Sequence, residues 1–247
     1  MIRTLSLVAA VGFVLSLVCF GVAFGIAGGP FSIEDWSLRR WNWHDSDHVA
    51  FSHHAESGPA AQRTLTWSGG ESLSVSVPAE ITYVQGPATS LVIDGPEGLL
   101  KHLVVRDGRI ELEPGVYDGE RLRIQLTAPD VHRFELDGDQ ALKIQAYDHD
   151  RLELVINGSG SVVGAGKAAR VELSISGSGS ADLTAIAMDA AQVDISGSGD
   201  AVLGPKASAK IDISGDGDVK LTTNPPVLQT DISGSGHVGT PKGDRTS

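Results

Sequence analysis

Five copies of one short phrase constrain this chain more than any other feature. They read Ile156-Asn157-Gly158-Ser159-Gly160, Ile175-Ser176-Gly177-Ser178-Gly179, Ile195-Ser196-Gly197-Ser198-Gly199, Ile213-Ser214-Gly215-Asp216-Gly217 and Ile232-Ser233-Gly234-Ser235-Gly236. Their first glycines are separated by 19, 20, 18 and 19 residues. A fixed period of this size marks a solenoid, whose turns bury their apolar faces only against their neighbours.

Apolar residues alternate before each glycine, as in Leu173 and Ile175, Val193 and Ile195, and Ile211 and Ile213. Alternation resumes after it, in Ala181 and Leu183, Ala201 and Leu203, and Val219 and Leu221. Period two reads as a strand with one face inside and one in water. Each turn is therefore expected to hold a strand, a glycine corner, a second strand and a less regular return. Stacking at about 4.8 Å would build an inner ladder of Ile156, Ile175, Ile195, Ile213 and Ile232. The corner ladder would be Asn157, Ser176, Ser196, Ser214 and Ser233. A phosphate-binding loop would need a helix after its glycines, with a lysine for a P-loop, and a flexible linker would lack the period.

The repeated Ile-Ser-Gly-Ser-Gly phrase resembles the bacterial GIN domain, the family described as an autotransporter-adhesin head domain. Upstream strands resemble it too: 72–77, 91–95 and 106–112. The resemblance runs from about residue 62 to 240. It implies a right-handed parallel β-helix, no recognised catalytic residues and a role in adhesion.

A formal net charge of −12 argues against nucleic acid and against anionic headgroups as partners. The single cysteine, Cys19, leaves no internal disulfide framework. It lies in a run without charge from Leu5 to Ala27, after Arg3 and before Glu34 and Asp35. A spanning helix needs about 20 apolar residues, so residues 1–27 read as a membrane anchor with a cytoplasmic N-terminus. Gly25-Ile26-Ala27 keeps open a cleaved signal. Either way the β domain is expected outside the cytoplasm, periplasmic or extracellular.

Residues 28–61 read as a juxtamembrane linker. Trp36, Trp41 and Trp43 suit a membrane interface. His44 and His48 would share one helical face and could take a metal, against the simpler reading of a solvated linker. Residues 62–240 would form the solenoid, and 241–247 a polar tail after Pro241. Between 62 and 130, strand-like runs punctuated by prolines are expected to form irregular first turns that cover the open end. Asp107-Gly108 signals a hairpin. A degenerate turn follows, with Gly138 lying 20 residues before Gly158.

The candidate binding residues are acidic. Asp194, Asp212 and Asp231 hold equivalent places before the corner, and Asp200 and Asp218 equivalent places after it. They read as solvated surface charge, as oxygen ligands for calcium, or as a carboxylate pair of a glycosidase. A ladder gives its members like environments, whereas a catalytic acid and base need different ones. The reading adopted is a non-enzymatic envelope protein, without cofactor or metal centre, presenting a rigid acidic β-helix to an envelope polysaccharide or protein. The alternative is a carbohydrate-active enzyme or calcium-binding module on the same β-helix.

Overall fold

The computed structural model describes residues 58–116, 119–241 and 243–246. The segment 1–27 and residues 28–57, including His44 and His48, lie outside them. Among the described residues no helix is long and apolar enough to cross a membrane.

The chain forms β1 (Ala60–Leu65), β2 (Ser72–Val75), β3 (Ala79–Gln85), β4 (Ser90–Pro96), a short α1 (Glu97–Lys101), β5 (Leu103–Arg106), β6 (Arg109–Leu112), β7 (Leu122–Ala128) and β8 (Arg133–Gly138). The repeat region supplies β9 (Ala141–Gly158), β10 (Ser161–Gly177), β11 (Ser180–Gly197), β12 (Asp200–Leu203), β13 (Pro205–Gly215), β14 (Asp218–Leu221), β15 (Val227–Ser233) and β16 (His237–Thr240). Beyond Pro241 the chain doubles back as β17 (Gly243–Thr246), antiparallel to β16. The architecture is an all-β solenoid with parallel pairing from turn to turn.

Register follows the repeat. Leu136 pairs with Ile156, and the ladder continues through Ile175, Ile195, Ile213 and Ile232. All are buried except Ile232, which is half-buried on the last turn. Fully burying one such side chain is worth about 1.5–3 kcal/mol, so the column is a main source of stability. The corner residues stack as expected, Asn157 on Ser176, then Ser196, Ser214 and Ser233.

The return is more regular than the sequence implies. β9, β10 and β11 each continue from one corner to the next as bent strands. The ladder between β9 and β10 is interrupted at Ala146, where Gly164 faces Ile144 and Gly166 faces Tyr147. Ala146 takes φ 53° and Gly166 φ 137° there. One extra residue thus bends the strand without ending it.

At the N-terminal end, stacking order departs from sequence order. β2 and β3 lie directly on β8 and the start of β9, with Leu73 opposite Phe134 and Ile81 opposite Leu142. The intervening chain returns on their other side as β6 and β7, with Val75 opposite Ile110 and Ile81 opposite Ile124. β4 then pairs antiparallel with β7, and β1 with β4. This antiparallel layer covers the end as expected, and Asp107 and Gly108 make the β5–β6 hairpin with φ 49° and 79°.

Candidate functional site

Two glycines shape each corner, for different reasons. The first, such as Gly197 at φ +120°, occupies backbone space that L side chains rarely enter, and its added Cβ would stand 2.5 Å from Gly177 O. The second faces inward: a Cβ on Gly217 would stand 2.7 Å from Gly199 O on the turn before and 2.7 Å from Ile195 Cγ2. The degenerate turn has Gln140 in that second place. Its Nε2 donates to Val77 O at 2.9 Å and to Asp137 O at 3.2 Å, so a buried amide caps the column of corner glycines.

The sheet before the corner carries the first acidic group. Asp194, Asp212 and Asp231 stand opposite one another on consecutive turns. With Ser174, Ser176, Ser196, Ser214 and Ser233 they line one open groove along the solenoid. The column is not made of carboxylates alone. Lys210 Nζ donates to Asp212 Oδ2 at 2.5 Å, and Gln192 Nε2 donates to Asp194 Oδ2 at 3.2 Å. The hydrogen bond to Asp212 and then the charges of Asp212, Asp194 and Asp231 hold the Lys210 ammonium above its ordinary range. The alternation that turns Ile211 and Ile213 inward also turns Lys210 and Asp212 outward side by side, so this contact is implicit in the strand pattern, although the column of aspartates alone does not show it.

Towards the N-terminal end the same sheet changes character. Arg133 pairs with Glu153, and Arg151 Nη2 reaches Glu153 Oε2 at 3.0 Å and Glu172 Oε2 at 2.9 Å. Two arginines there pair with glutamates, Arg133 also approaching Glu135 at 3.9 Å, whereas the column of Asp194, Asp212 and Asp231 has Lys210 as its one cation pair among the described residues.

Asp200 and Asp218 also face one another on adjacent turns, with His237 on the next. They line a separate groove with Thr222 and Gly239, so the corner divides the five predicted carboxylates into two groups. The two members differ: Asp200 is half-buried and Asp218 exposed. Burial first, and then the Asp218 charge, push the Asp200 carboxyl above the usual range.

A third cluster lies near the N-terminal cap. Asp130, in the β7–β8 connection, His132, just before β8, and His149, on β9, bring one ligand atom each within 4.8 Å of one another. His149 Nε2 lies 2.8 Å from Asp130 Oδ1. Among the described residues these are the side chains with metal-ligand geometry.

The pattern of the family described as "putative auto-transporter adhesin, head GIN domain" matches residues 71–225. The chain belongs to the GIN-domain family. No curated protein matches it. Among solved structures it resembles a "putative adhesin" from Bacteroides fragilis NCTC 9343, with TM-score 0.61 and 18% identity over 73% of this chain and 96% of the other. It also resembles one from Parabacteroides distasonis ATCC 8503, with TM-score 0.51 and 15% identity over 74% and 97%. At these identities the likeness is one of fold.

Within this GIN domain the sequence carries a signal for the Asp130 cluster. Asp130 and His149 are 19 residues apart, one repeat period, so they fall on neighbouring turns. Stacking of successive turns brings the two histidines together, with ring centroids 5.3 Å apart.

Proposed function

We propose that this GIN domain is a non-enzymatic binding module of the bacterial cell envelope, serving adhesion or scaffolding. The solenoid would wind right-handed, following the chirality of crossovers between parallel strands. The apolar segment 1–27 would hold it at the membrane or direct its export, leaving the β domain periplasmic or extracellular. The partner would be an envelope polysaccharide or a protein, bound through the groove of Asp194, Asp212 and Asp231 with its serine border.

The observation that carries this reading is the periodicity of that groove. On three consecutive turns it presents one carboxylate and one hydroxyl, in register, and on the turn before them two hydroxyls, Ser174 and Ser176. A polymer with repeated hydroxyl or amide groups can bind such a face through many weak, aligned hydrogen bonds. Screening the full chain against glycans and envelope polymers, with and without calcium, tests it: binding that persists without calcium is expected. Binding to nothing in either condition contradicts it.

A second reading comes from the far side of the corner. Asp200 and Asp218 occupy neighbouring turns, one half-buried with a raised pKa and one exposed. Two carboxylates in unlike environments are what a glycosidase uses as acid and base or nucleophile. Release of new reducing ends from a bound polysaccharide, lost in Asp200→Asn, would select this reading over simple binding.

A further inference from the structure

Adjacent turns of the solenoid assemble two imidazoles and a carboxylate that the binding groove does not use. We propose that Asp130, His132 and His149 form a site for a divalent transition metal of the zinc class, with one coordination position left open. Two nitrogens and one oxygen suit zinc and its neighbours, whereas calcium and magnesium select oxygen alone.

The geometry is close to what a metal needs. Bonds of about 2.0–2.1 Å in a tetrahedron hold donor atoms about 3.3 Å apart. The three ligand atoms lie within 4.8 Å of one another, and His149 Nε2 and Asp130 Oδ1 are 2.8 Å apart. Movements of about an ångström or less in the side chains close this set. The side chains have that freedom: Asp130 is 56% exposed, His149 29% and His132 22%. Their backbones are held. His132 N–H donates to Glu71 O, its carbonyl accepts from Glu153 N–H, and His149 lies within the β9–β10 ladder.

His132 supplies the independent observation. Its Nδ1 is buried and has no hydrogen-bond partner, an arrangement that is costly in a folded protein. Its Nε2 lies 3.8 Å from Glu71 Oε2. Placing the imidazole proton on Nε2, towards that carboxylate, leaves the Nδ1 lone pair for a metal. At 3.8 Å this is not a hydrogen bond; the exposed Glu71 side chain would have to draw closer to give the carboxylate support usual behind a ligating histidine. At His149 the metal takes the position of the proton now shared with Asp130. That proton moves to Nδ1, and the loose 3.4 Å contact with Arg151 N is given up. Tyr83 and Tyr147, which pack nearby, do not compete: their hydroxyls donate to Ala128 O and Arg151 O.

A metal here would join the end of the capping excursion, at Asp130 and His132, to the first continuous turn, at His149. Binding to the folded state alone raises thermal stability by mass action. The test uses the full chain, stripped with chelator and titrated with Zn²⁺ at neutral pH. One equivalent should bind at this site and raise the melting temperature; Ca²⁺ should do neither. His149→Gln and Asp130→Ala should each weaken that binding at least tenfold and abolish the thermal shift. Replacing His44, His48, His53 and His54 together by Gln should preserve it. If His149→Gln melts early without metal, the exposed Asp130→Ala decides. No shift in the wild type, an unchanged shift in Asp130→Ala, or a shift lost only with the four upstream histidines would overturn the proposal.

Discussion

A β-carbon added to Gly199 would stand 2.6 Å from Ile175 Cγ2, on the turn before it. The second glycine of each corner is therefore the mould of the previous isoleucine. Gly179 meets Ile156 in the same way at 2.6 Å, and Gly236 meets Ile213 at 2.7 Å. Phrase and period are one device: the residue that fills the core on one turn fixes what the next corner tolerates.

Gly199→Ala should accordingly destabilise the domain by about 1–3 kcal/mol, the usual cost of overpacking. Ile175→Ala should cost about 2–5 kcal/mol by leaving a cavity. The double variant should lose less than the sum, because removing Cγ2 relieves the nearer clash, while Gly179 O at 3.0 Å stays in place. Thermal melts of the four proteins give the coupling; strict additivity would mean that the two groups do not touch.

At the first corner glycine the obstacle is backbone. Gly197→Val combines a φ of +120° with a Cβ 2.5 Å from Gly177 O. A β-branched residue accepts neither, and the loss should be about 3 kcal/mol or more. A melting temperature within a few degrees of wild type would contradict the stacking.

The repeat carried most of this fold in plain view, because glycine corners and alternating isoleucines each have a single physical use at a 19-residue period. The N-terminal stacking order was not legible. Val75 finds Ile110 and Leu136 on its two sides through pairings that no local pattern announces. The acidic ladder could be read from Asp194, Asp212 and Asp231. Its counter-ion Lys210 follows from the same alternation, since Lys210 and Asp212 flank the inward Ile211, but it lies outside the column of aspartates. The contrast between Asp200 and Asp218 was not legible, because it arises from how deeply each position lies beside the corner.

The Lys210 contact changes what neutralising the ladder should do. Asp194→Asn removes a charge that faces Asp212, so its melting temperature should rise slightly at low salt. Asp212→Asn also frees Lys210 from its partner, and the two effects should nearly cancel. Lys210→Gln should lower the melting temperature, and added salt should reduce the loss. A larger rise for Asp212→Asn than for Asp194→Asn would show that relief of its two repulsions, with Asp194 and Asp231, outweighs the ion pair.

Asp200 should weaken the fold as pH rises. Its folded pKa lies above its ordinary value, so the folded state binds the proton more tightly than the unfolded chain. That advantage is complete below the unfolded pKa of about 3.9 and is lost as pH climbs through the folded value. Asp200→Asn should therefore stabilise the protein at pH 7, by less than burial alone would imply because the group is partly solvated. The gain should disappear near pH 3. An equal gain at both pH values would rule out ionisation as the cause.

Binding by the acidic groove is tested most directly by removing its charge while keeping its shape. The triple variant Asp194→Asn, Asp212→Asn and Asp231→Asn should fold and melt close to wild type. Against the envelope polymer that the wild type binds, it should lose at least tenfold in affinity, because each turn forfeits its ionised acceptor. Undiminished affinity in a folded triple variant would contradict binding through this face.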